Sequence, residues 1–231
     1  MKTIVPDGTL IKLGQLAIKL YELFGRAKKG SYKRLDEVLD AVQLVIEGKA
    51  PTAPDLAVEK FTKWRTFRIG GTSAKKLYAW LKQRCTVGRW VENMMKCSHF
   101  APHDEDIETI ILTPTDFGYK DEPSGCELLS PARLTEWSRL NAERLDGYVV
   151  ELLPAEAGPH IRDQYQGQPL GDCLWIAMEG APGFLQTPNI FFLYEAEEDG
   201  RPRRCIDSAY LPPESSFAVN QKFVFRLRKP A

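Results

Sequence analysis

Four apolar runs, at 173–178, 190–194, 203–210 and 223–227, follow one another with only short polar turns between them. Runs this short, rich in Phe, Ile, Val and Tyr and bounded by turn residues, read as strands rather than helices. The second and third are joined through 197–202, which contains Asp199-Gly200. Asp-Gly supplies the two left-handed residues that a tight hairpin turn demands. The last third is therefore expected to be an antiparallel sheet. Strands gathered after helices imply α+β rather than an alternating α/β sheet. The expected body, residues 61–231, is a set of helices packed on a mainly antiparallel sheet.

The stretches before it carry helical periodicity. Residues 8–26 place Leu10, Leu13, Ala17, Leu20, Tyr21 and Phe24 at helical spacing, with Asp7 as N-cap. Residues 32–47 do the same with Leu35, Val38, Leu39, Val42, Val45 and Ile46. These two predict a helical hairpin over 1–48. The proline- and alanine-rich stretch that follows predicts a linker over 49–60. Within the body, strands are predicted near 64–69, 109–113 and 148–153. Helices are predicted from Thr72 or Ser73 to Arg84, around Trp90–Met95, from Pro131 to about Arg144, and over 157–167. The acidic stretch His103–Glu108 reads as a solvated loop.

Composition excludes several classes. With 43% hydrophobic and 27% charged residues, the chain has enough apolar surface to fold and is not a disordered tail. Formal net charge is zero, so no global attraction to nucleic acid or acidic membranes follows. The apolar residues near the start are interrupted by Asp7, Lys12 and Lys19, which argues against a signal peptide. No apolar run is long enough to span a bilayer. Cys85, Cys97, Cys126, Cys173 and Cys205 are widely and irregularly spaced, with no CxxC pair. That pattern predicts reduced thiols, a cytoplasmic location and no metal or other cofactor.

Charge is distributed unevenly, however. Between Lys60 and Lys96 the sequence carries Lys63, Arg65, Arg68, Lys75, Lys76, Lys82, Arg84 and Arg89, with Glu92 as the only acid. Trp64, Phe67, Tyr78, Trp80 and Trp90 are interleaved. Lysine and arginine neutralise phosphates, and aromatic rings stack on bases. Arg65, Arg68, Lys75, Lys76, Lys82, Arg84, Arg89, Trp64 and Trp90 are thus the candidate binding residues. The competing expectation is that Asp104–Glu108, with Asp116, Asp121 and Glu122, neutralises this face within the fold.

Chemistry-capable groups are densest between Pro154 and Glu179. His160 and Asp163, three apart on a helix, share a face on which a carboxylate can orient an imidazole as general base, with Tyr165 close by. Each residue also has a structural role to fill: Glu156 suits a first turn, and Arg162-Asp163 suits a solvated face. No GxSxG, HExxH, Walker or dinucleotide fingerprint is present. Cys126 lies in a turn and Cys173 opens a strand. His103 with Asp104, Glu105 and Asp106 lacks the enforced geometry that a hard cation needs.

Leu153-Pro154-Ala155-Glu156-Ala157-Gly158-Pro159, Arg162-Asp163-Gln164-Tyr165, Gln168-Pro169 and Leu174-Trp175-Ile176-Ala177-Met178-Glu179 together resemble the core of an uncharacterised bacterial protein family. Further blocks at 64–70, 88–92, 118–120 and 223–229 also resemble its patterns, so the likeness spans roughly 61–231. It implies one domain and carries no known activity. Relatives carry an acidic, glycine-containing loop after the Met178-Glu179 position. Residues 180–188 have no acid, so any metal site in that loop is not expected here.

Three functional readings follow. The first is a non-catalytic interaction module that meets a protein partner through its basic segment. The second is a nucleic-acid-binding accessory protein using the same segment. The third is a hydrolase or transferase built on His160 and Asp163. No membrane partner is expected.

Overall fold

The computed structural model describes residues 59–182, 188–212 and 214–230. The hairpin expected over 1–48 and the linker residues before 59 lie outside the described residues. In chain order the strands are β1 (Thr66–Ile69), β2 (Thr86–Val87), β3 (Glu105–Leu112), β4 (Val149–Glu151) and β5 (Cys173–Ile176). β6 (Ala181–Pro182), β7 (Pro188–Glu198), β8 (Arg201–Tyr210) and β9 (Lys222–Arg228) complete them. The helices are α1 (Ala74–Arg84), α2 (Val91–Cys97), α3 (Gly125–Leu128), α4 (Pro131–Leu140) and α5 (Ala157–Gln164), with a 3₁₀ turn at Pro114–Phe117.

The sheet corrects the expected architecture. Among the described residues it has nine strands in the order β1-β3-β9-β5-β7-β8-β2, with β4 also on β9 and β6 on β7. It is a mixed sheet and not one terminal block: six of its eight pairings are antiparallel and two are parallel. β5 runs parallel to β9, and β2 runs parallel to β8. Nor are its strands gathered at the end, because β1 and β3 from the first half of the body belong to the same sheet. The physical reason lies in β9. Its residues Lys222–Val224 pair with β5 and Arg226–Arg228 with β4, while its other edge pairs with β3. Phe223, Val224 and Phe225 are fully buried. A strand buried this way draws partners from anywhere in the chain, and sequence order does not set their direction.

The acidic stretch also departs from expectation. Only its start is a loop; Glu105, Asp106 and Glu108 lie in β3, paired with Ile69, Arg68 and Thr66 of β1. Cross-strand ion pairs offset the poor strand propensity of these acids: Arg226 forks onto Glu105 at 3.1 and 3.3 Å, and Lys63 reaches Glu108 at 2.7 Å.

The β7–β8 hairpin follows the Asp-Gly signal. Asp199 and Gly200 both have positive φ, 52° and 71°, and pairing runs from Glu198↔Arg201 to Asn189↔Tyr210. α5 packs against β1 and also against β7 and β8, which lie far apart in the strand order. The sheet therefore curls around this helix, and every residue from Ala157 to Arg162 is buried. At Gly158 a Cβ would sit 2.8–3.1 Å from the Phe191 side chain, so the absence of a side chain there sets how closely helix meets sheet. Among the described residues, no helix is long and apolar enough to cross a membrane.

Candidate functional site

α1 supplies a cationic surface. Leu77 and Leu81, one turn apart, are buried and hold the helix against the core. The opposite side then presents Lys75, Lys76 and Lys82 to solvent. Lys82 and Arg84 occupy the last turn, where cations favour the negative end of the helix dipole. Aromatic rings lie under these charges. Lys76 is 4.8 Å from the Trp80 centroid, Lys82 is 5.7 Å from Tyr78, and Arg89, in the turn before α2, is 4.8 Å from Trp90. Among the described residues, no carboxylate forms an ion pair with Lys75, Lys76, Lys82 or Arg89.

Most of the rest of the basic segment is neutralised. Arg68 pairs with Asp104, Lys63 with Glu108, Lys60 with Asp146 and Lys96 with Glu92. Arg65 stacks over Tyr165 at 4.9 Å and lies 5.9 Å from Trp64. Asp104 thus serves Arg68 of β1, Glu108 serves Lys63 and Glu105 serves Arg226 of β9, and none of the three forms an ion pair with a cation of α1. Asp116 is used elsewhere, accepting from the Thr113 amide at 2.7 Å, and Glu122 accepts from Ser216.

At the C-terminal end of α1 the surface drops into a cavity of about 370 Å³. α1 contributes Gln83 and Arg84; the turn after α5 contributes Gln166 and Gly167; the hairpin contributes Glu195, Pro202, Arg203 and Arg204. Arg84 Nη1 is 2.9 Å from Asp163 Oδ1, and Arg203 Nε is 2.9 Å from Glu198 and 3.0 Å from Thr86 Oγ1. Arg204 Nη1 donates to the Asp163 carbonyl at 3.4 Å. Each guanidinium is held along one edge, which leaves other N–H donors for a ligand. Glu195 Oε2 is buried with no hydrogen-bond partner among the described residues. The hairpin arginines were missed in the sequence because Arg201, Arg203 and Arg204 read as part of a turn and strand. Only the parallel pairing of Thr86 with Cys205 brings them beside Arg84.

The His160, Asp163 and Tyr165 set does not converge. His160 Nε2 accepts from the Gly70 amide at 3.2 Å, so the neutral ring carries its proton on Nδ1. Burial pushes the imidazole pKa down. Glu156 Oε2 accepts from the Ala101 amide at 3.0 Å and lies 4.0 Å from His160 Nε2; burial raises its pKa. These two buried groups tie α5 to the 70–71 and 99–104 segments. Asp163 faces Arg84 instead of His160. Tyr165 is buried edge-on to Trp64, with centroids 4.9 Å apart. Arg162, expected on a solvated face, is fully buried and donates to Gln168 Oε1 at 2.7 Å and to the carbonyls of Tyr165 and Tyr194.

Thiols offer little more. Burial pushes Cys173 up to about 11, far from a thiolate at neutral pH. Cys126 is exposed in the first turn of α3. Exposed Cys97 shares a second cavity, of about 450 Å³, with His99, Glu179 and Arg226. Among the described residues no group of three or more His, Cys, Asp or Glu side chains is placed to hold a metal. Most of the acid-free loop at 180–188 lies outside the described residues. No family model, curated protein or solved structure matches this chain.

Proposed function

We propose that this chain is a non-catalytic nucleic-acid-binding protein that meets the phosphate backbone with the α1 face. One observation carries the reading: among the described residues Lys75, Lys76, Lys82 and Arg89 are exposed and form no ion pair, Lys82 feeling Glu92 only at longer range, while the other nearby cations are almost all paired. Exposed cations left uncompensated keep their attraction for an anionic polymer. Tyr78, Trp80 and Trp90 lie 4.8–5.7 Å from these cations, so a strand whose phosphates meet the cations would run next to aromatic rings.

Fluorescence anisotropy with single-stranded and duplex oligonucleotides tests this. Neutralising about four phosphates gives a slope near −3 to −4 in log affinity against log salt, and each lysine removed by Lys75→Ala, Lys76→Ala or Lys82→Ala lowers that slope by about one. Absence of binding at low salt sinks the reading. Affinity for polyglutamate with none for oligonucleotides would assign the face to an acidic protein partner instead.

A further inference from the structure

We propose that Lys76, Trp80 and Arg84 form a single-strand track on α1, in which the two cations take phosphates and the indole stacks an unpaired base. This rests on the nucleic-acid reading of the α1 face and narrows its ligand to strands with unpaired bases. The three residues are four apart in sequence, so they follow one another along one side of the helix. At about 1.5 Å per residue the cations stand about 12 Å apart along the axis, the reach of roughly three to four phosphates of a stacked strand. Lys76 and Arg84 are exposed, and Trp80 is half-buried against the core. Arg84 gives Nη1 to Asp163 at 2.9 Å and keeps its other N–H donors.

The ring is covered by a group that can leave it. Lys76 Nζ lies 4.8 Å from the Trp80 centroid. An exposed cation–π contact is weaker than the stack of a base on an aromatic ring, and the ammonium regains a partner when it turns to the phosphate beside that base. The exchange therefore favours an unpaired base. A duplex offers no such exchange, because its bases are stacked on one another and present only their edges in the grooves. On a duplex the indole would contribute nothing. Tyr78 is a poorer platform than Trp80, since the Glu92 carboxylate beside it repels a passing phosphate. The Trp80 track instead runs on into the groove, where Arg203 and Arg204 follow Arg84. The acids there are already engaged: Asp163 pairs with Arg84 and Glu198 with Arg203, while Glu195 Oε2 is buried and its charge is felt by Arg162.

The test compares a single-stranded 12-mer of mixed sequence, its duplex, and an abasic 12-mer of the same length, by anisotropy at about 0.15 M salt, where distant charges are screened. The expected result is about tenfold tighter binding of the single strand than of the duplex or the abasic strand, the size of one base stacked on a ring. Trp80→Leu keeps apolar packing but no ring face; it should lose about tenfold on the single strand while the dependence of affinity on salt keeps its slope. Trp80→Phe keeps a ring and should retain most of the affinity. Duplex binding as tight as single-strand binding overturns the track and leaves the α1 phosphate reading standing. Unchanged single-strand affinity in Trp80→Leu also overturns it, as does an abasic strand that binds like the intact one, a result that needs no variant to fold. No binding of any strand removes both proposals.

Discussion

Arg162 has the largest fully buried side chain among the described residues, and no carboxylate lies within ion-pair distance of it. Burial pushes its pKa down, and three acceptors, Gln168 Oε1 and the Tyr165 and Tyr194 carbonyls, take its protons. Removing the guanidinium leaves those acceptors buried and unpaired as well as opening a cavity. Arg162→Ala is therefore expected to lose about 3 kcal/mol or more in denaturant unfolding. The Glu156–His160 pair makes stability depend on pH in two opposing ways. The folded imidazole binds its proton below the ordinary 6.5, so the unfolded chain holds more protons in that window and stability falls as pH drops through it. The folded Glu156 carboxyl binds its proton above the ordinary 4.5, so its contribution is present in acid and lost as pH rises through the raised value. Urea midpoints across this range should show His160→Gln with a smaller loss from about pH 7 to 5.5 than the parent. Glu156→Gln, which keeps an acceptor for Ala101, should be at least as stable as the parent at pH 7. A steeper acid loss in His160→Gln would contradict this assignment.

Glycine substitutions separate what each element needs. Gly200→Ala meets no atoms, and its cost is the left-handed backbone alone, about 1–2 kcal/mol. Gly158→Ala pushes into Phe191, so it moves α5 off the sheet and costs about 1–3 kcal/mol through overpacking. Near-UV circular dichroism should change for Gly158→Ala and stay close to the parent for Gly200→Ala. The hairpin was legible because its signal is local: two residues dictate the turn. The α1 helix was legible for the same reason, through Leu77 and Leu81 at helical spacing. α5 was legible as a helix but not as a buried one. His160 and Arg162 look like surface residues until Gly70 is seen to bond the first and Gln168 the second. The first half of β3 was hidden for a related reason, since its charges read as a loop until Lys63 and Arg226 are placed opposite them.

Over the whole molecule, what the sequence conceals is pairing between distant segments. β9 joins β3, β4 and β5, and β8 joins β2, across separations that no periodicity encodes. The same concealment applies to the groove, which is assembled from α1, the turn after α5 and the hairpin. Because β9 holds the middle of the sheet, a chain ending before Lys222 should fail to fold: it leaves edges of β3, β4 and β5 unpaired and removes the buried Phe223, Val224 and Phe225. Amide dispersion in NMR spectra checks this, and a well-dispersed spectrum from the truncated chain would contradict it. Folding of the intact chain should be slow, in the range of milliseconds to seconds or longer, as sheets built from distant contacts are.

The central position of β9 also has a consequence during synthesis. The ribosome makes β1 long before β9, and at about 5–20 residues per second the interval is roughly 10–30 s. Throughout that time the apolar sides of β1 and β3 have no central strand to pair with. The nascent chain must be shielded by chaperones or wait in a loose state, and any premature stop upstream of Lys222 yields a product fit only for degradation. For this protein, translation to the end of β9 is itself the checkpoint for folding.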